Sequence, residues 1–161
     1  HYPLRRQRQM CIRDSYQVNC TYYDALGRDD RKYLLARALQ FFLPGVPQVY
    51  YVGLLAGHND MALLATTQVG RDINRHHYRP EEIAEHLKRP VVSRMCELIR
   101  LRNAHPAFEG HFERLPSDDN RLLLQWASGP YVARLDLRFD DPALSTMELL
   151  GDGEAIHWRF D

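Results

Sequence analysis

The sequence predicts an α/β segment followed by a small all-β domain. Three observations carry this. Between about residues 31 and 103, apolar residues recur at helical spacing in stretches separated by Pro and Gly. Within that region lies one short run of consecutive apolar residues, Val49, Tyr50, Tyr51 and Val52. Beyond Gly110 the period changes to two, most clearly in YVARLDLRF at 131–139.

Each element has its own warrant. YQVNCTYYDALG at 16–27 alternates weakly, which predicts irregular or short extended structure. Asp29 or Asp30 can cap a helix over Arg31–Leu43, with an apolar face of Leu34, Leu35, Ala38, Leu39 and Phe42. Pro44 and Gly45 stop it. Val46–Val52 then reads as a strand covered on both faces, the pattern of a parallel strand inside a sheet. Gly53–Arg79 is too long for an ordinary connection, and long ordered loops are usually functional. A short helix is expected near Asp60–Thr66. Pro80 starts another, with Glu81 and Glu82 in its first turn, and Pro90 a longer one to about Asn103. Val91, Val92, Met95, Leu98 and Ile99 form the buried stripe of that last helix, where Cys96 reads as a packed structural thiol. Strands are expected at His111–Leu115, Leu122–Trp126, Tyr131–Phe139, Met147–Leu150 and Ile156–Phe160, divided by SDDN, SGP and GDG turns. Trp126 and Trp158 alternate as core residues do, so the domain offers no aromatic platform of the kind a carbohydrate-binding module would present.

The two halves differ in self-sufficiency. The β domain could nearly stand alone, whereas a single buried parallel strand lacks a partner. The expected architecture is therefore the C-terminal portion of a (β/α)8 TIM barrel followed by a small antiparallel β domain, in a fragment of a larger protein. In such barrels the loops after the strands carry the active site, which directs attention to residues 53–79. Three parts are expected: 1–15, a non-native or disordered N-terminal segment; 16–107, the barrel portion with its active-site loops; and 108–161, the β domain. The first part stands apart by composition. RQRQMCIRDS at 6–15 resembles translated sequencing-adapter sequence, with a basic arm as the alternative.

Composition excludes some classes. The formal net charge is zero, which leaves no electrostatic footprint for nucleic acid or an anionic membrane. No apolar run reaches membrane-spanning length. Three widely spaced cysteines suggest reduced thiols and a cytoplasmic protein rather than a disulfide framework.

Three ordered blocks are specific. YQVNCTYYDALG, FFLPGVPQVYYVGLLAG and GRDINRHHY together resemble the sucrose phosphorylases of the α-amylase superfamily, strongly from Tyr16 to Phe108 and weakly beyond. The resemblance implies glucosyl transfer from sucrose to phosphate with retention, giving α-glucose 1-phosphate and fructose. Retention uses one carboxylate as nucleophile and another as acid/base. The resemblance places those groups, and a third that stabilises the transition state, on strands before Tyr16, so no catalytic residue is expected in this chain. No cofactor is implied. The implied partners are sucrose, phosphate and fructose, with a homodimer left open.

Substrate-binding candidates follow from the resemblance. Arg71 in GRDINR matches an arginine that holds glucosyl hydroxyls, work suited to a guanidinium with several directed donors. The structural alternative is an ion pair with Asp60 or Asp72. Tyr16 and Gln17 match a loop lining the acceptor site, with ordinary loop packing as the alternative. Asp14 stands where the family carries an acidic residue, although it lies inside the aberrant segment and Arg13 replaces an apolar family residue. Related phosphorylases for sucrose 6'-phosphate or glucosylglycerate are alternatives. An amylase-type hydrolase and a non-catalytic binding module are others.

The remaining candidates have structural readings. His76 and His77 are adjacent, with no Cys or carboxylate seen to complete a metal site. Asp60 and Asp72 read as solvated or salt-bridged loop residues. Tyr22, Tyr23, Tyr50 and Tyr51 read as core or supporting aromatics. The spacing of Gly53, Gly57 and Gly70 is not that of a phosphate loop.

Overall fold

The computed structural model describes residues 19–160. They form two compact units. One comprises residues 19–29 and 49–92 of the described chain, and the other residues 30–48 and 93–160.

The second unit holds the sheet. Five strands, β1 (His111–Leu115), β2 (Arg121–Ser128), β3 (Tyr131–Arg138), β4 (Thr146–Gly151) and β5 (Glu154–Arg159), follow one another in order as an antiparallel meander. The period-two pattern fixes which residues share a face. Leu124 pairs with Leu135, Leu135 with Met147, and Met147 with Trp158, giving one buried row across four strands. One register step away, Gln125, Arg134, Glu148 and His157 line up on the opposite face. Arg134 donates to Gln125 Oε1 from Nη2 at 2.8 Å, and His157 lies 3.3 Å from Glu148.

A helix covers the apolar face. Helix α2 (Asp30–Phe42) contributes buried Tyr33, Leu34, Ala38, Phe41 and Phe42. The Trp126 indole N–H donates 2.7 Å to the Phe42 carbonyl, satisfying one of the free acceptors at the helix end. The long helix α6 (Pro90–Ala104) belongs to this unit from Ser93 onward. Its Arg102 donates 2.9 Å to the Phe41 carbonyl and lies 4.3 Å from the Phe108 ring centroid. Its Arg94 sits 4.0 Å over Trp158. At Gly110 the chain passes against β2 so closely that a Cβ would meet the Ala127 carbonyl oxygen at 1.9 Å. Only glycine fits there.

The first unit is helical. It contains α1 (Tyr22–Ala25), α3 (Tyr51–Leu54), α4 (Met61–Thr67), a 3-10 turn over Gly70–Asn74, and α5 (Pro80–Leu87). Its buried residues include Tyr23, Val52, Leu55, Ala56, Ile73, Val91 and Val92. The predicted helices are present, with Asp60 just before α4 and Pro80 opening α5.

Several expectations are corrected. Residues 46–52 form no strand: the chain is irregular to Tyr50 and then turns into α3. Val46 is 90% exposed and Tyr50 53%, while Val52 is buried. A four-residue apolar run does not distinguish strand from helical turn, and no strand lies beside it among the described residues to accept its backbone bonds. Of the four tyrosines read as core or support, Tyr23 is buried, Tyr51 is exposed yet supports His76 through its hydroxyl, and Tyr22 and Tyr50 are exposed. Phe139 lies beyond the end of β3 and is exposed, and Ile156 is exposed on the edge strand. Cys96 is half-buried rather than packed inside.

Candidate functional site

Residues 19–27, 49–57 and 70–78 of the three motif blocks lie in the first unit. Thr21 caps α1, its hydroxyl accepting the Asp24 N–H at 3.2 Å. That turn directs Asp24 inward, where its side chain is 1% exposed. A buried carboxylate requires donors, and Asp24 meets several among the described residues. Arg28 donates from Nε at 2.7 Å and Nη2 at 3.1 Å, the Asn59 backbone N–H donates at 3.0 Å, and His58 Nδ1 lies at 3.1 Å. Burial alone would raise the Asp24 pKa. The bonds from Arg28, Asn59 and His58 outweigh it and hold the group below its usual value. Asn59 also binds the opposite strand of chain: its Oδ1 accepts the Thr21 N–H at 2.7 Å, and its Nδ2 donates to Cys20 Sγ at 3.4 Å. The segment following Tyr16 and Gln17 in sequence is thereby tied to His58-Asn59-Asp60.

Asp60 extends the network. Its Oδ1 accepts the Leu63 N–H at 2.8 Å and caps α4, and its own N–H donates 2.7 Å to the Ile73 carbonyl. Ile73 is buried in the 3-10 turn that carries Arg71. The other carboxylate oxygen of Asp60 meets His76 Nδ1 at 2.6 Å. The Leu63 N–H, followed by His76, lowers the Asp60 pKa despite some burial. On the far side of His76, Nε2 lies 3.7 Å from Glu82 Oε1. Glu82 accepts the Arg79 N–H at 2.7 Å in a capping box that starts α5, and that bond chiefly lowers its pKa.

Aromatic rings back this arrangement. The Tyr78 ring packs edge-on to His76 (4.5 Å), His86 (5.2 Å) and Tyr51 (6.1 Å). A Cβ on Gly57 would meet the Tyr78 hydroxyl at 2.2 Å, so glycine there keeps the place of Tyr78 open. The Tyr51 hydroxyl donates 2.9 Å to the His76 carbonyl, and burial followed by the Tyr50 contact pushes the Tyr51 pKa up to about 12.

The predicted residues fall as follows. Arg71 is exposed on its turn and makes no ion pair with Asp60 or Asp72 among the described residues; Asp60 is occupied by His76 and Leu63. Tyr16, Gln17 and Asp14 lie outside the described residues. The sequence reading left His76 without a carboxylate, and the structure gives it two. Asp24, His58 and Asn59 were missed. The Thr-x-x-Asp spacing of Thr21 and Asp24 was a usable signal, because it matches a helix cap. Among the described residues no cluster of three His, Cys, Asp or Glu could hold a metal ion.

No family model matches the chain. Individual relatives do. It is 60% identical to the sucrose phosphorylase of Agrobacterium vitis over 126 residues, which is 78% of this chain and 26% of that protein. By sequence and fold, this chain is sucrose-phosphorylase-like. Its identity to the sucrose phosphorylase of Bifidobacterium adolescentis is 58% over 113 residues, covering 70% of this chain and 22% of that protein. The crystal structure of sucrose 6F-phosphate phosphorylase from Thermoanaerobacter thermosaccharolyticum matches with a TM-score of 0.87 at 38% identity, covering 96% of this chain and 34% of that one. This sucrose-phosphorylase-like chain thus spans about a quarter of the length of the curated relatives it matches. The small antiparallel β domain agrees with that fold likeness, while no barrel sheet is present among the described residues.

Proposed function

We propose that this chain is part of an enzyme that transfers the glucosyl group of sucrose to phosphate with retention, releasing fructose and α-glucose 1-phosphate. The observation that carries the reading is the 60% identity to a sucrose phosphorylase over 126 residues. In this reading a carboxylate outside the chain attacks the anomeric carbon. Fructose leaves with a proton from a second carboxyl group, a phosphate oxygen then displaces the first carboxylate, and the configuration is retained. Arg71 contacts the glucosyl hydroxyls, consistent with an exposed guanidinium that has no ion pair to Asp60 or Asp72. Tyr16 and Gln17 line the acceptor side, and Asp14 joins them only if residues 1–15 are native. The parent enzyme is cytoplasmic, and the 161-residue chain is inactive alone because this reading places both carboxylates on strands before Tyr16.

A second reading changes the donor to sucrose 6F-phosphate. It is favoured by the fold likeness to the sucrose 6F-phosphate phosphorylase and by 55% identity over 113 residues to a protein of that name from Thermoanaerobacterium thermosaccharolyticum.

One chimera tests both. Residues 16–161 replace the matching region of the Agrobacterium vitis sucrose phosphorylase, and release of glucose 1-phosphate is measured with phosphate and either donor. The first reading expects turnover with sucrose, the second a preference for sucrose 6F-phosphate. A folded chimera inert on both would sink the assignment.

A further inference from the structure

His76 is held from more sides than a surface loop residue needs. It is half-buried, with its side chain 32% exposed. Nδ1 faces Asp60 at 2.6 Å and Nε2 faces Glu82 at 3.7 Å. Its carbonyl accepts the Tyr51 hydroxyl, and its ring lies edge-on to Tyr78. These partners come from the start of α4, the start of α5, helix α3 and the loop before α5.

The Asp60 contact reaches toward Arg71. Asp60 is held as a carboxylate by the Leu63 N–H and by His76. A carboxylate only accepts, so His76 Nδ1 must carry the proton of their bond. The same Asp60 residue grips the Arg71 turn through main chain, its N–H donating to the Ile73 carbonyl. Ile73 is 1% exposed and sits two positions beyond Arg71 within one five-residue 3-10 turn. A single path of bonds therefore runs from the His76 ring to Asp60, to Ile73, and along one turn to Arg71. Arg71 itself takes no ion pair from Asp60 or Asp72 that could hold it in place.

We propose that His76 is a positioning residue for Arg71, acting through Asp60 to hold the Gly70–Asn74 turn in register. This rests on the reading of Arg71 as a glucosyl contact, but the clamp itself can be tested separately. Glu82 serves as the second anchor, keeping the ring aimed at Asp60. A guanidinium must be held closely to place several hydrogen bonds on a sugar, and small displacements at such contacts are costly.

Two measurements test it. The first is amide hydrogen exchange on the full 161-residue chain, which needs no activity. His76→Ala should reduce protection of the Asp60, Asp72 and Arg75 amides by about tenfold or more, with the β-sheet amides unchanged. His76→Asn keeps a donor near the Nδ1 position and should restore protection to within about threefold. Unchanged exchange in His76→Ala, or loss throughout the sheet as well, would overturn the clamp. The second is a double-mutant cycle in the chimera. His76→Ala should lower kcat/KM, His76→Asn should recover most of it, and His76→Ala should cost nothing further once Arg71→Ala is present. Full additivity of the two substitutions would overturn the positioning role. An inert chimera, or normal kinetics for Arg71→Ala, would remove the functional reading, and with it the positioning of a substrate contact, while the exchange result decides the clamp.

Discussion

Replacing Asp24 by Asn keeps the shape of the side chain and removes its charge. The Asp24 side chain is 1% exposed, and Arg28, His58 and the Asn59 main chain face its carboxylate. In the variant one acceptor oxygen becomes an amide NH2, which faces Arg28 Nε and His58 in the Oδ1 place or Arg28 Nη2 and the Asn59 N–H in the Oδ2 place, so at least one donor loses its partner and the Asn59 N–H loses its charged acceptor. A hydrogen bond to a charged acceptor contributes roughly 1.5–3 kcal/mol, and the Asn59 main-chain bond receives that full range. Arg28 and His58 are 56% and 44% exposed, so solvent screening limits their joint share to about 1 kcal/mol. The expected loss is about 3 kcal/mol, or on the order of 100-fold in a local opening equilibrium. Amide exchange of Asn59, Gly57 and Arg28 in the whole chain measures it. The pH dependence has a definite sign. Because the folded pKa lies below the unfolded one, the contribution is complete above the unfolded value of about 4 and is lost as pH falls through the lower folded value. The advantage over Asp24→Asn should therefore shrink in acid. A loss under about tenfold at neutral pH, or a difference undiminished at about pH 3, would refute the hub role.

Other perturbations address the rest of the molecule. Gly110→Ala drives a Cβ against the Ala127 carbonyl, and the resulting backbone shift should cost about 2 kcal/mol and lower the melting temperature by about 5 °C. Both tryptophans lie in that unit, so tryptophan fluorescence follows it directly, and an unaltered melt would contradict the close approach. In the chimera, Arg71→Ala should lower kcat/KM by a factor on the order of 100, the loss of a charged contact of roughly 3 kcal/mol; near-normal kinetics would return Arg71 to a structural role. The purified 161-residue chain should form no glucose 1-phosphate from sucrose and phosphate, and measurable turnover would disprove the account of its missing carboxylates.

Legibility followed the range of the forces involved. The strand at Tyr131–Arg138 was readable because alternate residues point to opposite faces regardless of what lies beyond. Helices α5 and α6 were readable because Pro80 and Pro90 open them, with Glu81 and Glu82 in the first turn of α5 and an apolar stripe along α6. The run at 49–52 misled because consecutive apolar residues suit a buried strand or a helical turn equally, and neighbouring elements decide between them. Tyr50 and Tyr51 could not be sorted between core and support in the same way, since aromatic character alone does not reveal that both are exposed and that the Tyr51 hydroxyl reaches the His76 carbonyl. In the candidate site, the block GRDINR drew attention to Arg71, but nothing in that block reveals what holds it.

By itself the sequence determined the five antiparallel strands after Gly110, the helix starts near Asp60 and at Pro80 and Pro90, and the blocks shared with sucrose phosphorylases. These depend on residues a few positions apart. The tertiary structure alone decided that Asp24 meets an N–H 35 residues away, and that His76 meets Asp60 across 16. A buried or half-buried carboxylate takes whichever donors the folded chain brings to it, and their spacing in sequence follows no period. The network around Arg71 is therefore a property of the fold, assembled from residues whose local patterns gave no sign of one another.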